Sequence, residues 1–124
     1  MTIQASVAAA LVTFSCTVMA LAAGDPMRGK ELYDSRCSGC HSIDQNRVGP
    51  AHQGVFGRRA GQVRDFAYSS AVKASRIVWS EKTLNAWLTN PEKLIPGQRM
   101  GYSVTEADDR ADLIAYLKTL KGAP

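Results

Sequence analysis

Apolar positions fall into two regimes along the chain. From Ala5 to Ala20 they run almost unbroken, diluted only by Ser6, Thr13, Ser15 and Thr17, and the small-residue stretch Ala20-Leu-Ala-Ala-Gly24 closes the run. This is the apolar core and cleavage region of a secretory signal over residues 1–23, with Ala20 and Ala22 placed as an A-x-A site. No basic side chain precedes it, and an uncleaved membrane anchor is the competing reading. Beyond Gly24 the pattern becomes helical. Asp25-Pro26 is an N-cap followed by a first-position proline. Gly29, Leu32, Tyr33 and Arg36 follow at helical spacing, so the first helix is expected to run into Cys37–His41. From Ser42 to Val78 no period survives: Gly49, Pro50, Gly54, Gly57 and Gly61 punctuate a long irregular segment, broken by a short helix around Ser69–Ala74. Ser80 then caps a helix bearing Leu84, Trp87 and Leu88, which Asn90-Pro91 stops. A second loop, EKLIPGQRMGYS, follows, and Thr105 with Asp108 starts a last helix whose apolar face is Leu113, Tyr116, Leu117 and Leu120. The expected class is all-α, with three main helices, short helical turns, two long loops and no sheet.

That pattern contains a conflict. Short helices with few bulky apolar residues cannot support long loops unaided, and an irregular stretch of this length in a small domain is uncommon unless it wraps something. A chain of 124 residues allows one domain, here residues 24–124. A domain of about 100 residues buries too little surface to be more than modestly stable. Something large and apolar is therefore expected in its middle.

Charge narrows the choice of partner only slightly. Fifteen basic against eleven acidic residues give +4, spread along the chain without the runs expected of a nucleic-acid binder. The glycine-rich GVFGRRAG fits neither the phosphate-loop nor the dinucleotide pattern.

The chemistry lies in Cys37-Ser-Gly-Cys40-His41. On one helical turn these cysteines and the histidine project to the same side. C-x-x-C-H is the pattern of covalent c-type haem attachment, two sulfurs for two vinyl groups and an imidazole for the iron. Two alternatives are weaker. Zinc needs four N or S ligands, and Cys37, Cys40, His41 and His52 meet that only by count. A redox dithiol ordinarily follows a strand, and none is expected. Cys16 lies inside the apolar run, where TFSC is a poor lipid-attachment motif. If haem is held, a thioether sixth ligand raises its potential relative to a second imidazole. Met27 is too close to Cys37 to reach the other face; Met100, after Ile95-Pro96-Gly97, is far enough along to do so. His52 is a rival ligand if Met100 is displaced.

CSGCH, VGP, FGRRAG, FAYSSA, WS…TLNAWLTNP, IPGQRM and RADLIAYLK, in that order from Gly24 to Lys121, together closely resemble the class I c-type cytochromes. The resemblance implies the small cytochrome c fold around one covalently bound haem c, with His41 and Met100 on the iron. It further implies that the Pro50 carbonyl accepts from His41, and that Arg58, Tyr68 and the Trp79 indole approach the haem propionates. Leu88 and Leu94 are implied pocket residues. Gly29 and Tyr33 should pack across Leu113 and Tyr116. Val72, Trp87 and Gln98 depart from the mitochondrial pattern, so the polar network on the Met100 side must differ. The short His41–Gly49 loop suits a small bacterial member.

The expected function is a soluble periplasmic one-electron carrier cycling Fe(II) and Fe(III), a monomer and not an enzyme. Its expected partners are redox complexes, such as a cytochrome bc-type complex, a terminal oxidase or a photosynthetic reaction centre, without nucleic acid or a small-molecule substrate. A dedicated subunit accepting electrons from a periplasmic dehydrogenase is the alternative; a five-coordinate peroxidase or gas sensor would need Met100 off the iron. Lys30, Arg36, Lys93 and Arg99 occupy positions of a basic docking ring, thinned where Glu92 replaces an expected lysine.

Overall fold

A computed structural model describes residues 23–122. The expected export signal over residues 1–23 lies outside them except for Ala23. Five helices form among the described residues: α1 (Pro26–Arg36), α2 (Ser70–Ala74), α3 (Glu81–Thr89), α4 (Pro91–Leu94) and α5 (Ala107–Thr119). The extended pairing among these residues is a single antiparallel bridge between Arg59 and Val78, so the fold is all-α as expected. No helix among them is long and apolar enough to cross a membrane.

The caps explain where most elements begin. Asp25 Oδ1 accepts the Met27 N–H at 2.9 Å, with Pro26 at the first helical position. Ser69 caps α2 through the Val72 N–H. Ser80 and Thr83 form a reciprocal capping box at the start of α3.

Three expectations at element ends are corrected. First, α1 does not continue through the cysteines. The Tyr33 carbonyl accepts both Cys37 N–H (2.8 Å) and Ser38 N–H (3.1 Å), the wider bond ending the helix ahead of the poor helix formers Ser38 and Gly39. Cys37–His41 then forms its own turn, closed by His41 N–H on the Cys37 carbonyl at 2.9 Å. Second, the segment after Asn90-Pro91 opens with α4. Asn90 ends α3 and also caps α4 by accepting the Lys93 N–H at 3.1 Å; the Asn-Pro pair that stops one helix is itself a start signal. Third, Thr105 is not the cap of α5, which begins behind Glu106 without a side-chain cap bond. Arg110 instead ties the backbone ahead of α5 to α3. Its Nη1 donates to the carbonyls of Val104 (2.9 Å) and Thr105 (2.7 Å), and its Nε donates to Asn85 of α3 (2.8 Å).

The frame of the molecule is the crossing of α1 over α5. A Cβ at Gly29 would overlap the Asp112 main chain, so only glycine permits this approach. Tyr33 packs on Tyr116 with ring centroids 5.3 Å apart, and Leu113 lies in the same buried cluster. An ionic clasp sits beside them. Arg28 pairs with Asp109 (2.7 Å) and Asp112 (2.5 Å), Arg36 pairs with Asp109 (3.1 Å), and the Asp25 N–H donates to Asp112 (2.7 Å). Both aspartates are buried, so their pairing is obligatory. Opposite this frame, the long loop folds back through Gly57 N–H to the Trp79 carbonyl (2.7 Å), Trp79 N–H to that of Arg58 (2.9 Å) and Ala60 N–H to that of Ile77 (2.8 Å).

Candidate functional site

The helices and the folded-back loop enclose a cavity of about 540 Å³, within the ~300–1,000 Å³ of cofactor pockets. Val55, Val72, Leu84, Leu88, Leu113 and Leu117 give it apolar walls. Cys37, Cys40 and His41 border it, and Met100, some sixty residues away in sequence, borders the same space. The space that the irregular loops had to wrap is thus present, with all four ligand-type side chains at its edge.

His41 is held with one ring nitrogen free to bind a metal. Its Nδ1 lies 2.9 Å from the Pro50 carbonyl; a carbonyl can only accept, so Nδ1 carries the proton and Nε2 keeps its lone pair. Burial lowers its pKa, with Arg47 adding to the effect and the Pro50 bond opposing it, so the ring is neutral. Gly49 makes room, since a Cβ there would overlap the His41 imidazole. Arg47 secures the turn: its guanidinium donates to the carbonyls of Ser38 (2.6 Å), His41 (3.2 Å) and Gly39 (3.3 Å). Nothing in the sequence marks Arg47 for this task, because a surface arginine in an irregular loop carries no periodic signal.

His52 stands beside His41. The two rings stack with centroids 4.0 Å apart and planes 19° from parallel, and His52 Nδ1 lies 2.8 Å from the Tyr33 hydroxyl. Its pKa is driven well below the ordinary value by burial, then by His41 and Arg58. Weighed from sequence as a rival ligand, it is instead a neutral wall that supports the expected one.

The polar residues implied by resemblance also gather here. Arg58 is half-buried and donates to the carbonyls of Gln53 (2.7 Å) and Ala51 (3.1 Å), and burial lowers its pKa. Tyr68 accepts the Val63 N–H at 3.0 Å, leaving its own O–H to donate. Trp79 packs against Trp87 with centroids 5.3 Å apart. Every buried side-chain polar atom among the described residues has a partner, and the Trp79 N–H has no protein acceptor there; it therefore faces open space. All three line the cavity, as do Pro50 and Leu88. Leu94 does not. Ending the single turn of α4, it borders a separate small hollow with Ala86, Thr89, Asn90 and Lys93. Val72 and Trp87, two of the departures, line the main cavity, so that wall is apolar where the mitochondrial pattern is more polar.

This arrangement separates the competing chemistries. No disulfide joins Cys37 to Cys40, and burial pushes the Cys37 thiol up to about 11, the opposite of what a reactive redox thiolate needs. Among the described residues no three His, Cys, Asp or Glu side chains converge as a zinc site would require. A large apolar cofactor held through two sulfurs and one imidazole fits what remains.

Comparison with known proteins agrees. The family model for cytochrome c matches residues 26–121. Cytochrome c of Euglena viridis is 48% identical over 101 residues, covering 79% of this chain and 99% of that protein. Cytochrome c of Tetrahymena pyriformis is 48% identical over 99 residues, covering 78% and 90%. Among solved structures, cytochrome cH from Methylobacterium extorquens superposes with a TM-score of 0.74 at 37% identity, covering 77% of this chain and 99% of that one.

Proposed function

Because the chain belongs to the cytochrome c family, as a class I c-type cytochrome with one covalently bound haem c, we propose that it is an exported, soluble one-electron carrier with His41 and Met100 as its iron ligands. The observation that carries this reading is the convergence of Cys37, Cys40, His41 and Met100 on one apolar cavity. Cys37 and Cys40 would hold the haem through their sulfurs, and His41 Nε2 and the Met100 thioether would take the iron. Bound there, the haem supplies a one-electron couple, its iron alternating between Fe(II) and Fe(III).

The chain's own tasks follow from its geometry. Pro50 fixes the His41 tautomer, Gly49 leaves space for the ring, and the His52 stack backs it. The apolar walls exclude water, so little solvent reorganises when charge changes. Arg58, Tyr68 and Trp79 offer one cation and two donors for acidic substituents of the ring. No side chain is assigned a catalytic role; the chain is a carrier rather than an enzyme.

Docking would occur at the rim where Cys40 is exposed. Lys30 is paired with Asp34 at 2.6 Å and Arg36 with Asp109 at 3.1 Å, which leaves Lys93 and Arg99 as the uncompensated cations of the expected ring. Partners with modestly acidic faces, periplasmic or membrane redox complexes, suit that surface, and the apolar run at residues 1–23 supports export to the periplasm. The test is a visible and near-infrared spectrum of the exported protein with and without Met100→Ala. Sharp c-type bands and a sulfur-to-iron band that disappears in the variant support the assignment. Haem that extracts without acid-stable attachment, or ligation unaffected by the substitution, overturns it.

A further inference from the structure

Met100 lies between two glycines in left-handed backbone, Gly97 at φ 94° and Gly101 at φ 59°. Such residues are hinges unless something fixes them. The main chain contributes little: among the described residues, the stretch 96–103 makes one backbone–backbone hydrogen bond, Gln98 N–H to the Ile95 carbonyl at 3.1 Å. Arg99 Nη1 reaches the Ala67 carbonyl at 3.4 Å, and the other anchors come from two side chains, both at positions where the sequence departs from the family pattern it resembles. Glu92 Oε1 accepts the Gly97 N–H at 3.0 Å, and Glu92 Oε2 accepts from Gln98 Nε2 at 3.1 Å. Gln98 Oε1 in turn accepts the Gly101 N–H at 2.9 Å.

The pattern is self-consistent. A carboxylate only accepts, so the Gln98 amide must turn its NH₂ toward Glu92, and its oxygen then faces the Gly101 N–H and accepts it. The chain of bonds starts on α4, whose own start is fixed by Asn90, and reaches the backbone on both sides of Met100. Donation by Gly97 and then Gln98 lowers the Glu92 pKa, keeping the carboxylate ionised at neutral pH.

We propose that Glu92 and Gln98 form a side-chain clip that holds the Met100 loop closed, making both of them positioning residues for the axial thioether. The proposal rests on Met100 being an iron ligand. The clip replaces a backbone ladder with an exposed glutamate and a half-buried glutamine, so the loop is held locally and opens without global unfolding.

The experiment titrates ferric holoprotein with imidazole, which must displace Met100, and follows the sulfur-to-iron band. Glu92→Ala and Gln98→Ala should each raise the apparent imidazole affinity about fivefold, the effect of losing a charge-assisted or bracketing hydrogen bond. The double variant should rise little further, because both residues belong to one chain of bonds. Glu92→Gln, which keeps one acceptor for Gly97, should fall between wild type and Glu92→Ala. Glu31→Ala, which removes an equal charge from an exposed site on α1, should match wild type. Thermal midpoints should stay together across the set, separating local opening from lost stability. Clip variants that bind imidazole no better than Glu31→Ala overturn the clip while leaving Met100 ligation standing. A wild-type protein with no sulfur-to-iron band overturns the ligand assignment, and the clip with it.

Discussion

Replacing Tyr33 by phenylalanine isolates one part-buried hydrogen bond. Tyr33 is 3% exposed, and its hydroxyl lies 2.8 Å from Nδ1 of His52, the imidazole that stacks on His41, the proposed iron ligand. Tyr33→Phe removes one oxygen and leaves the ring in place, so little packing is lost. The cost is that of leaving the part-buried His52 Nδ1 without its partner, about 1–3 kcal/mol. His52→Leu strands the tyrosine hydroxyl and should cost a comparable amount, offset in part by the apolar side chain it adds. Changing both partners to apolar groups is nearly neutral by the same reasoning. The single costs should therefore not sum, and a double-mutant cycle should return a coupling of about 1–2 kcal/mol. In a domain of this size, each 1 kcal/mol moves Tm by roughly 4–8 °C. Guanidinium unfolding of the four ferric holoproteins, followed by far-UV circular dichroism, measures the cycle. Effects additive within about 0.3–0.5 kcal/mol would refute the claim that Tyr33 and His52 act through a shared bond.

Further outcomes follow from other parts of the fold. Gly49→Ala places a Cβ on the His41 ring, an overpacking of about 1–3 kcal/mol concentrated at the ligand; a changed Soret spectrum with readier carbon monoxide binding by the ferrous protein is expected, and a wild-type spectrum would count against the close approach. The Asp112 carboxyl has its pKa lowered, chiefly by the Asp25 N–H and also by Arg28, so its contribution is complete above the ordinary value of 3.8 and disappears as pH falls through the depressed one. Asp112→Asn should be less stable at neutral pH by about 1–3 kcal/mol, with a flatter acid-unfolding curve; parallel curves for wild type and variant would contradict this. Because Lys30 and Arg36 are already paired, electron-transfer rates with an acidic partner should fall only weakly with ionic strength. A steep fall in stopped-flow measurements would show a more basic docking face.

Much of this arrangement was legible in the sequence because it obeys local rules. Asp25-Pro26 and Ser80 announce their helices by cap chemistry, and Leu113, Tyr116 and Leu117 mark the buried face of α5 by spacing alone. Cys37, Cys40 and His41 form a motif whose spacing encodes its chemistry, and the unexplained loops signalled a missing core, which the cavity now accounts for. The failures lie where a long-range contact outweighed a local one. Thr105 has the right residue type for a cap, but α5 begins one residue later, where Arg110 ties the Val104 and Thr105 carbonyls to Asn85 of α3. α1 stops at Arg36 because the Tyr33 carbonyl binds Ser38 as well as Cys37, a competition invisible to periodicity. Leu94 was placed by resemblance in the pocket, yet its position on α4 turns it to another hollow. Arg47 and the His52 stack were missed entirely, since both matter through what folding brings beside them. Glu92 and Gln98 could be flagged singly as departures, but only the folded loop shows that they depart together.

The central claim is that two distant segments, Cys37–His41 and Met100, close on one iron. A crystal structure of the ferrous holoprotein tests it most directly. The account predicts thioether bonds to Cys37 and Cys40, with His41 Nε2 on one side of the iron and the Met100 sulfur on the other. Any other group in either axial position, His52 included, would contradict it.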